Sequence, residues 1–183
     1  MTGEWLSYAR YLRLVLEHKW YVLLAGLRTG APLGNLLIHD WSKFTPAEAP
    51  HYARQFYGGG GDPLGFSQAW NHHQKINPHH WEYWVLVAGH GRGGYADGSA
   101  LPMPESCVRE MVADWLAATR VFDGAWPESM ETWEWWQKSF SRLRLHEETR
   151  AMALAIATKT VPQLSTKRGC SFSESSPARR QAD

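Results

Sequence analysis

Apolar residues recur at helical spacing along nearly the whole chain. In the first segment, the i, i+3, i+4, i+7 repeat of one helix face is carried by Tyr11, Leu14, Val15, His18, Val22 and Ala25. This pattern predicts a helix over about residues 4–28 that stops at Gly30. A second helix is expected to open at Pro32 and to carry His39 and Asp40 at its end. No segment shows sustained alternation with period two between hairpin turns, so we expect an all-α fold, a helical bundle of about six to seven helices.

Polar residues and prolines mark where the next helices begin. The segment that starts at Thr45 is typical of a capping box, with Thr45 as the N-cap, Pro46 as the first helical residue and Glu48 reaching back to the cap. A fourth helix is expected over residues 66–75. Asn77 then precedes a proline, which predicts that Asn77 caps the start of a further helix.

The second half of the chain is expected to hold a loop, two helices and a tail. Glycines and prolines predict a long surface loop over residues 89–104, and Pro104 opens a helix. A last long helix is expected over residues 127–159. The sequence then becomes rich in Ser, Arg and Lys, so we expect one domain over residues 1–162 and a disordered tail over residues 163–183.

Composition narrows the class of protein. The chain has 183 residues, a formal charge of +1 and two cysteines. This length suits one domain, and the charge gives no strong nucleic-acid signal. Two cysteines exclude a disulfide framework and a cysteine-based zinc site. The longest uncharged apolar stretch, residues 20–27, is too short for a membrane span, and no secretory signal is visible, so we expect a cytoplasmic protein without a membrane partner.

Several ionisable residues fall where the helical pattern predicts burial. They are His18, His39, Asp40, His72, His73, His79, His80 and Asp114. Buried charges are rarely left unpaired, and shared divalent ions are the simplest way to satisfy several imidazoles and carboxylates in one helical core. The expected cofactor is therefore one or two divalent ions among Mn, Fe, Co, Zn and Mg. Adjacent residues of a helix diverge by about 100°, so His39 and Asp40 would bridge two ions, or bind one from a helix end.

The order of these residues resembles the HD-domain superfamily of metal-dependent phosphohydrolases, which is named for an adjacent His-Asp pair. The segment HDWSKF, residues 39–44, is similar to the HD pair and nearby lysine of many members. Together with HHQKINPHHWEYW, residues 72–84, it is also similar to an uncharacterised family of phage and bacterial proteins. The resemblance covers roughly residues 10–122 and implies an HD-like helical bundle. If the protein is phage-encoded, it would be located in the host cytoplasm.

The resemblance also implies roles for particular residues. The implied metal ligands are His18, His39, Asp40, His73, His79, His80 and Asp114, and the implied catalytic residues are Asp40, Lys43, His73 and His80. Asp40 would be the shared ligand. Lys43, or less directly Arg92, would neutralise a phosphate as a point charge. The choice within each pair of adjacent histidines stays open, and Glu48 has a second interpretation as the partner of a ligating histidine.

Three classes of function fit these residues. The leading hypothesis is a metal-dependent phosphohydrolase that acts on a nucleotide or related small phosphate ester through a metal-activated water. The others are an HD-type di-iron oxygenase and a non-catalytic phage host-interaction protein with a structural metal site. Trp133, Trp135 and Trp136 are expected to pack internally, with self-association into a homo-oligomer through one of them as the alternative.

Overall fold

The computed structural model describes residues 2–87, 89 and 93–165, which fold into seven α-helices joined by short 3-10 helices. The α-helices are α1 (Thr2–Thr29), α2 (Leu33–Ile38), α3 (Ala49–Tyr57), α4 (Pro63–Ile76), α5 (Glu105–Phe122), α6 (Glu134–Ser139) and α7 (Glu147–Ser165), and the 3-10 helices are Trp41–Phe44, Trp81–Trp84 and Phe140–Arg142. Among these residues the only β-type pairing is an isolated bridge between Val85 and Ala100. The predicted all-α fold is confirmed.

Helices α1 and α5 form the middle of the bundle. Helix α5 packs along α1, and α7 lies against both of them. On its other side α1 contacts α3, which in turn packs on α4. The short helix α2 folds back on α1, and Gly26 allows this close approach because a Cβ there would meet the side chain of Leu36.

The apolar core is divided along α1. Near its N-terminal half, Tyr11 and Val15 pack with residues of α3 and α4. In the C-terminal half of α1, Val22 packs with Leu36 and Ala117. The largest cluster joins α5, α6 and α7. His18 lies on α1 between the first two clusters, so a polar group interrupts the apolar stripe at this point.

The sequence predicts the His-Asp pair at the end of α2. In the structure the pair lies in the turn beyond that helix. Helix α2 stops at Ile38, His39 is extended, and Asp40 has a left-handed backbone with φ 53°. Aspartate is one of the few residues that adopts this conformation at modest cost. On a continuous helix the two side chains would diverge, and the break turns both of them inward.

The predicted capping box is wrong. Thr45 ends the 3-10 helix that precedes it, and its Oγ1 donates to the carbonyl of Ser42. Helix α3 begins later, at Ala49, and Glu48 is fully buried. The Glu48 carboxylate instead binds two histidines, His72 through Oε1 and His73 through Oε2.

The predicted helix start at Asn77 is also wrong. Asn77 is instead the C-terminal cap of α4, where its Nδ2 donates to the carbonyl of His73 at 2.9 Å. A turn and a short 3-10 helix follow. Helix α4 begins earlier than predicted, at Pro63, because Asp62 caps it by accepting from the backbone N–H of Gly65.

The long helix predicted over residues 127–159 is interrupted. Helix α6 places Trp133 and Trp136 in the core, as expected of internal packing, and the chain then breaks before α7. The guanidinium of Arg150 donates to the carbonyls of Phe140 and Leu143, which satisfies backbone groups that the break leaves free.

Helix α7 continues to Ser165, slightly past the boundary predicted for the tail. Residues 166–183, and with them most of the predicted tail, lie outside the described residues. None of the helices described is long and apolar enough to cross a membrane.

Truncation of Leu116 on α5 should destabilise the protein strongly. Leu116 is fully buried, and Leu116→Ala is expected to lower the free energy of unfolding by about 2–5 kcal/mol through lost burial and a residual cavity. Urea denaturation measures this loss. Leu154→Ala on α7 is the control, because Leu154 is 47% exposed and should change stability by about 0.5 kcal/mol or less. Equal losses in the two variants would contradict the assignment of α5 as the central helix.

Candidate metal centre

Five elements bring the seven predicted ligands into one buried cluster. The ligands come from α1 (His18), the turn after α2 (His39, Asp40), α4 (His73), the turn after α4 (His79, His80) and α5 (Asp114). They form two sets in which one candidate ligand atom per residue lies within 4.8 Å of the others. The first ligand group is His18, His39, Asp40 and Asp114, and the second ligand group is Asp40, His73, His79 and His80.

Asp40 belongs to both groups because its two carboxylate oxygens face different histidines. Oδ1 lies 3.2 Å from Nε2 of His73 and 3.3 Å from Nε2 of His79. Oδ2 lies 3.4 Å from Nε2 of His39 and 3.7 Å from Nε2 of His18. The left-handed backbone of Asp40 therefore holds one carboxylate between two sets of imidazoles.

Asp114 completes the first ligand group from α5. Its Oδ1 lies 2.9 Å from Nε2 of His18 and 3.6 Å from Nε2 of His39. The short contact with His18 lacks hydrogen-bond geometry, since Nε2 of His18 is among the buried atoms without a partner. The imidazole nitrogen of His18 and the carboxylate oxygen of Asp114 are therefore close without a hydrogen bond between them, as two ligands of one metal ion are.

The inward-facing nitrogens of the cluster are unsatisfied. Among the described residues, the buried atoms without a hydrogen-bond partner include Nε2 of His18, His39, His73, His79 and His80 and Oδ1 of Asp40. An unmade hydrogen bond of a buried polar group costs about 1–3 kcal/mol, so six such atoms in one place need a common explanation. Cations bound within the two ligand groups would accept electron pairs from these atoms.

The outward-facing nitrogens of three of these histidines are held by two buried glutamates. Nδ1 of His39 donates to Oε1 of Glu110 at 2.9 Å, and Nδ1 of His79 lies 3.2 Å from the same oxygen. Nδ1 of His73 donates to Oε2 of Glu48 at 3.0 Å. An ionised carboxylate only accepts, so the proton sits on Nδ1 and the Nε2 lone pair is free in the neutral ring. This is the arrangement by which carboxylates orient metal-binding histidines.

The structure distinguishes the two histidines at positions 72 and 73. His73 is fully buried and belongs to the second ligand group. The side chain of His72 is 41% exposed, and its Nδ1 donates to the other oxygen of Glu48 at 2.8 Å. His72 therefore lies behind Glu48 rather than in the cluster, whereas His79 and His80 are both among the candidate ligands.

Buried negative charge dominates the electrostatics of the cluster. Burial alone would raise the pKa of Asp40, but His39, Lys43 and His73 hold the pKa of that carboxyl well below its usual range. Burial also opposes ionisation of Asp114, but the nearby imidazoles of His18 and His39 again hold its pKa well below the usual value. Both carboxylates are thus ionised at neutral pH.

The histidines respond to this charge in different ways. Burial would lower the pKa of His39, but Asp40, Asp114 and Glu110 raise it well above the ordinary imidazole value. Burial and the neighbouring His79 lower the pKa of His80 well below that value. Without a cation, the cluster thus relies on protonated imidazole to compensate its carboxylates.

Lys43 supplies an ammonium group at the more open side of the cluster. Its Nζ donates to Oδ2 of Asp40 at 2.6 Å, and its side chain is 18% exposed. Burial would lower the pKa of Lys43, but Asp40, Asp114 and Glu48 raise it above its ordinary value. His18, His80 and Asp114 are also slightly exposed, which places solvent access on the side of these residues and Lys43.

Sequence reasoning missed Glu110 and favoured the wrong role for Glu48. Glu110 lies four residues before Asp114, one turn away on the buried face of α5, and this spacing could have identified it. For Glu48, the interpretation as partner of a candidate ligand is confirmed by its hydrogen bond with His73. Arg92, the weaker candidate for phosphate binding, lies outside the described residues.

A family model matches residues 7–159, a range that contains both ligand groups. Its description is DUF5662, a family of unknown function. The chain belongs to this family. No curated protein and no solved structure matches the chain. Membership of DUF5662 assigns no reaction, so the chemistry of the cluster is the basis for a functional proposal.

Glu110 should make the stability of the metal-free protein depend on pH. Its hydrogen bonds with His39 and His79 outweigh the effect of burial and lower its pKa from 4.5 to about 2. A carboxyl group with a lowered pKa stabilises the folded state above its unfolded pKa and loses that contribution as pH falls through the folded pKa. We expect the stability gap between wild type and Glu110→Gln, up to about 3 kcal/mol, to shrink as pH falls from about 5 to about 2.

Urea denaturation in the presence of a chelator, repeated across this pH range, measures that gap. A gap that stays constant with pH would show that Glu110 acts through packing alone.

Proposed function

We propose that the cluster binds two divalent cations and that the protein is a metal-dependent phosphohydrolase of the HD type. The observation that carries the proposal is the position of Asp40, whose oxygens face two separate sets of unpartnered imidazole nitrogens. A carboxylate shared in this way is suited to bridge two ions. The first ligand group would hold one cation and the second ligand group the other.

The donor atoms fit such ions. Two donors about 2.1 Å from one ion lie about 3.0–3.4 Å apart for octahedral or tetrahedral angles. Within the first ligand group the separations between histidine and carboxylate donors run from 2.9 Å, between His18 and Asp114, to 3.7 Å, between His18 and Asp40. Imidazole and carboxylate ligands without thiolate are suited to Mn, Fe, Co or Zn.

The bound ions would polarise a phosphate oxygen and lower the pKa of a bound water towards about 7, which gives a nucleophile at neutral pH. The protein contributes a fixed, largely dry frame for that chemistry. Glu48 and Glu110 fix the ring orientations of His73, His39 and His79 through their Nδ1 atoms. Preorganised ligands of this kind need little rearrangement during a reaction.

Lys43 would assist at the phosphate. Its ammonium lies on the open side of the cluster and contacts the Asp40 oxygen of the first ligand group. When a cation takes that oxygen, the ammonium remains beside it as a positive charge for a phosphate oxygen. Negative charge that develops on the phosphate during hydrolysis would be stabilised there.

The order of the cluster residues along the chain supports the relation to HD phosphohydrolases. A histidine on the first helix, an adjacent His-Asp pair, later histidines and a late aspartate occur in the same order. Nucleotides and related small phosphate esters are the substrates that this relation suggests.

Asp40→Asn should remove bound metal. Asparagine also tolerates a left-handed backbone, so this variant tests the loss of the carboxylate without added strain at φ 53°. We expect wild type purified without chelator to carry up to two divalent ions per chain and Asp40→Asn to carry less than half as many. Elemental analysis gives the count, and the melting temperature should fall because bound metal stabilises the native state.

Asp123→Asn, at the exposed end of α5, is the matched control and should keep wild-type metal and stability. If Asp40→Asn retains its metal and melting temperature, Asp40 is not a ligand.

Lys43→Ala should separate metal binding from turnover. The backbone carbonyl of Lys43, which accepts from the Tyr11 hydroxyl, is kept in this variant, so the fold should persist. With metal bound, we expect phosphate release to fall by about 10²-fold or more because one electrostatic contact with the substrate is lost. The assay uses deoxynucleotides, ribonucleotides and simple phosphate esters with Mn²⁺, Co²⁺, Mg²⁺ or Fe²⁺.

Lys138→Ala, in an exposed pair on α6, is the control and should leave phosphate release unchanged. Assays with and without oxygen test the alternative of an HD-type oxygenase, since turnover that requires iron and oxygen would refute hydrolysis. A metal-loaded protein that releases no phosphate from any substrate would favour a non-catalytic role.

A further inference from the structure

One histidine of the second ligand group lacks the close contact between Nδ1 and a carboxylate that the other two histidines of that group have. Nδ1 of His39, His73 and His79 each lies within 3.2 Å of a glutamate oxygen. For His80, the corresponding atom is 3.8 Å from Oε2 of Glu82, which is too long for a hydrogen bond. His80 is therefore the least firmly oriented member of the second ligand group.

The carboxylate oxygen of Glu82 nearer to His80 is not used in any hydrogen bond. Its Oε1 accepts from Nε2 of Gln74 at 2.8 Å, and its backbone carbonyl accepts from Nζ of Lys75 at 2.7 Å. Its Oε2 is buried and has no hydrogen-bond partner. Two residues of α4 thus anchor Glu82, while one carboxylate oxygen remains unsatisfied near an imidazole whose Nε2 is also unsatisfied.

We propose that Glu82 is a positioning residue for the second cation and acts through His80. With the Nε2 lone pair of His80 on the cation, the proton of the neutral ring must sit on Nδ1. Oε2 of Glu82 accepts that proton in a hydrogen bond after a shift of about 1 Å from the present 3.8 Å. The two buried orphan atoms are then both satisfied. This inference rests on the proposed binding of two cations.

The proposal is specific to one of the two ligand groups. The hydrogen bond and the ion pair of the Glu82 carboxylate are to Gln74 and His80, neither of which belongs to the first ligand group. Loss of an orienting carboxylate typically weakens metal affinity by about 10–100-fold. The effect of removing Glu82 should therefore fall on the second cation and spare the first.

The test is a titration of chelator-treated protein with Co²⁺, followed by calorimetry and by the visible absorption of bound cobalt. Wild type should bind two ions. Glu82→Ala should raise the dissociation constant of one ion about 10–100-fold, with loss of its share of the absorption, while the other ion binds as before. Glu82→Gln should recover part of the affinity, because its amide oxygen can still accept from Nδ1 of His80.

Glu134→Ala is the control, since it removes an exposed carboxylate of α6 that pairs with Lys138. It should keep both cobalt ions. If Glu134→Ala and Glu82→Ala weaken cobalt binding equally, the effect is not specific to the carboxylate beside His80 and the inference is overturned.

The two proposals fail in different ways. Unchanged cobalt affinity in Glu82→Ala, with two ions bound to wild type, would overturn the role of Glu82 alone. Failure of wild type to bind cobalt would overturn the two-cation centre itself. Should Glu82→Ala fail to fold, the cobalt affinity of Glu82→Gln decides. This variant replaces the carboxylate by a neutral acceptor. Cobalt affinity equal to that of wild type would contradict an orienting role for the carboxylate.

Discussion

The negative charge of four carboxylates clustered around five imidazoles is the constraint on which the rest of the structure depends. Asp40 reaches the cluster from the turn after α2, Glu48 from the residue before α3, and Glu110 and Asp114 from α5. The ammonium of Lys43 contacts Asp40. Charges taken out of water cost several kcal/mol each unless they are compensated. Without metal, protonated imidazoles such as His39 balance part of this charge. Two divalent cations would balance it directly, which supports the proposed two-cation site.

The arrangement of the helices follows from holding this cluster in place. On α1, His18 lies between Val15 and Val22, which belong to different apolar clusters, so the core anchors the helix on both sides of the polar group. On α5, Glu110 and Asp114 share one face, and the intervening residues Met111 and Ala113 pack in the largest cluster. The ligands are thus mounted on packed helices or on turns directly attached to them, as a preorganised site requires.

The sequence predicted most of the cluster because helical periodicity reports burial, and a charged residue within a buried stripe is conspicuous. His18 and Asp114 were found in this way. The adjacent pair His39 and Asp40 raised a geometric problem that periodicity could not solve, since it depends on a left-handed residue after α2. Glu110 was overlooked although it shares the face of Asp114. The hydrogen bond between Glu48, the residue before α3, and His73 of α4 has no local signature, so the capping-box pattern was more conspicuous than the tertiary contact.

Local signals also misplaced two helix boundaries for a tertiary reason. The break after α6 depends on the core packing of Trp136 and on the guanidinium of Arg150, which donates hydrogen bonds to the carbonyls of Phe140 and Leu143. Asn77 precedes a proline, as N-caps often do, but its side chain instead closes α4 beside His73. Arg150 lies beyond the break that it stabilises, and Nδ2 of Asn77 also donates to Oγ of Ser42 at 3.0 Å. Patterns within one segment contain no information about these contacts.

The central claim, that Asp40 is shared by two cations, is tested most directly by anomalous X-ray scattering from crystals of the protein soaked with Mn²⁺ or Zn²⁺. Data collected on either side of the absorption edge locate each ion independently of the protein coordinates. The account predicts two peaks flanking the Asp40 carboxylate, one beside His18 and Asp114 and the other beside His73, His79 and His80. Absence of any peak within the cluster, or a single peak that Asp40 does not contact, would contradict it.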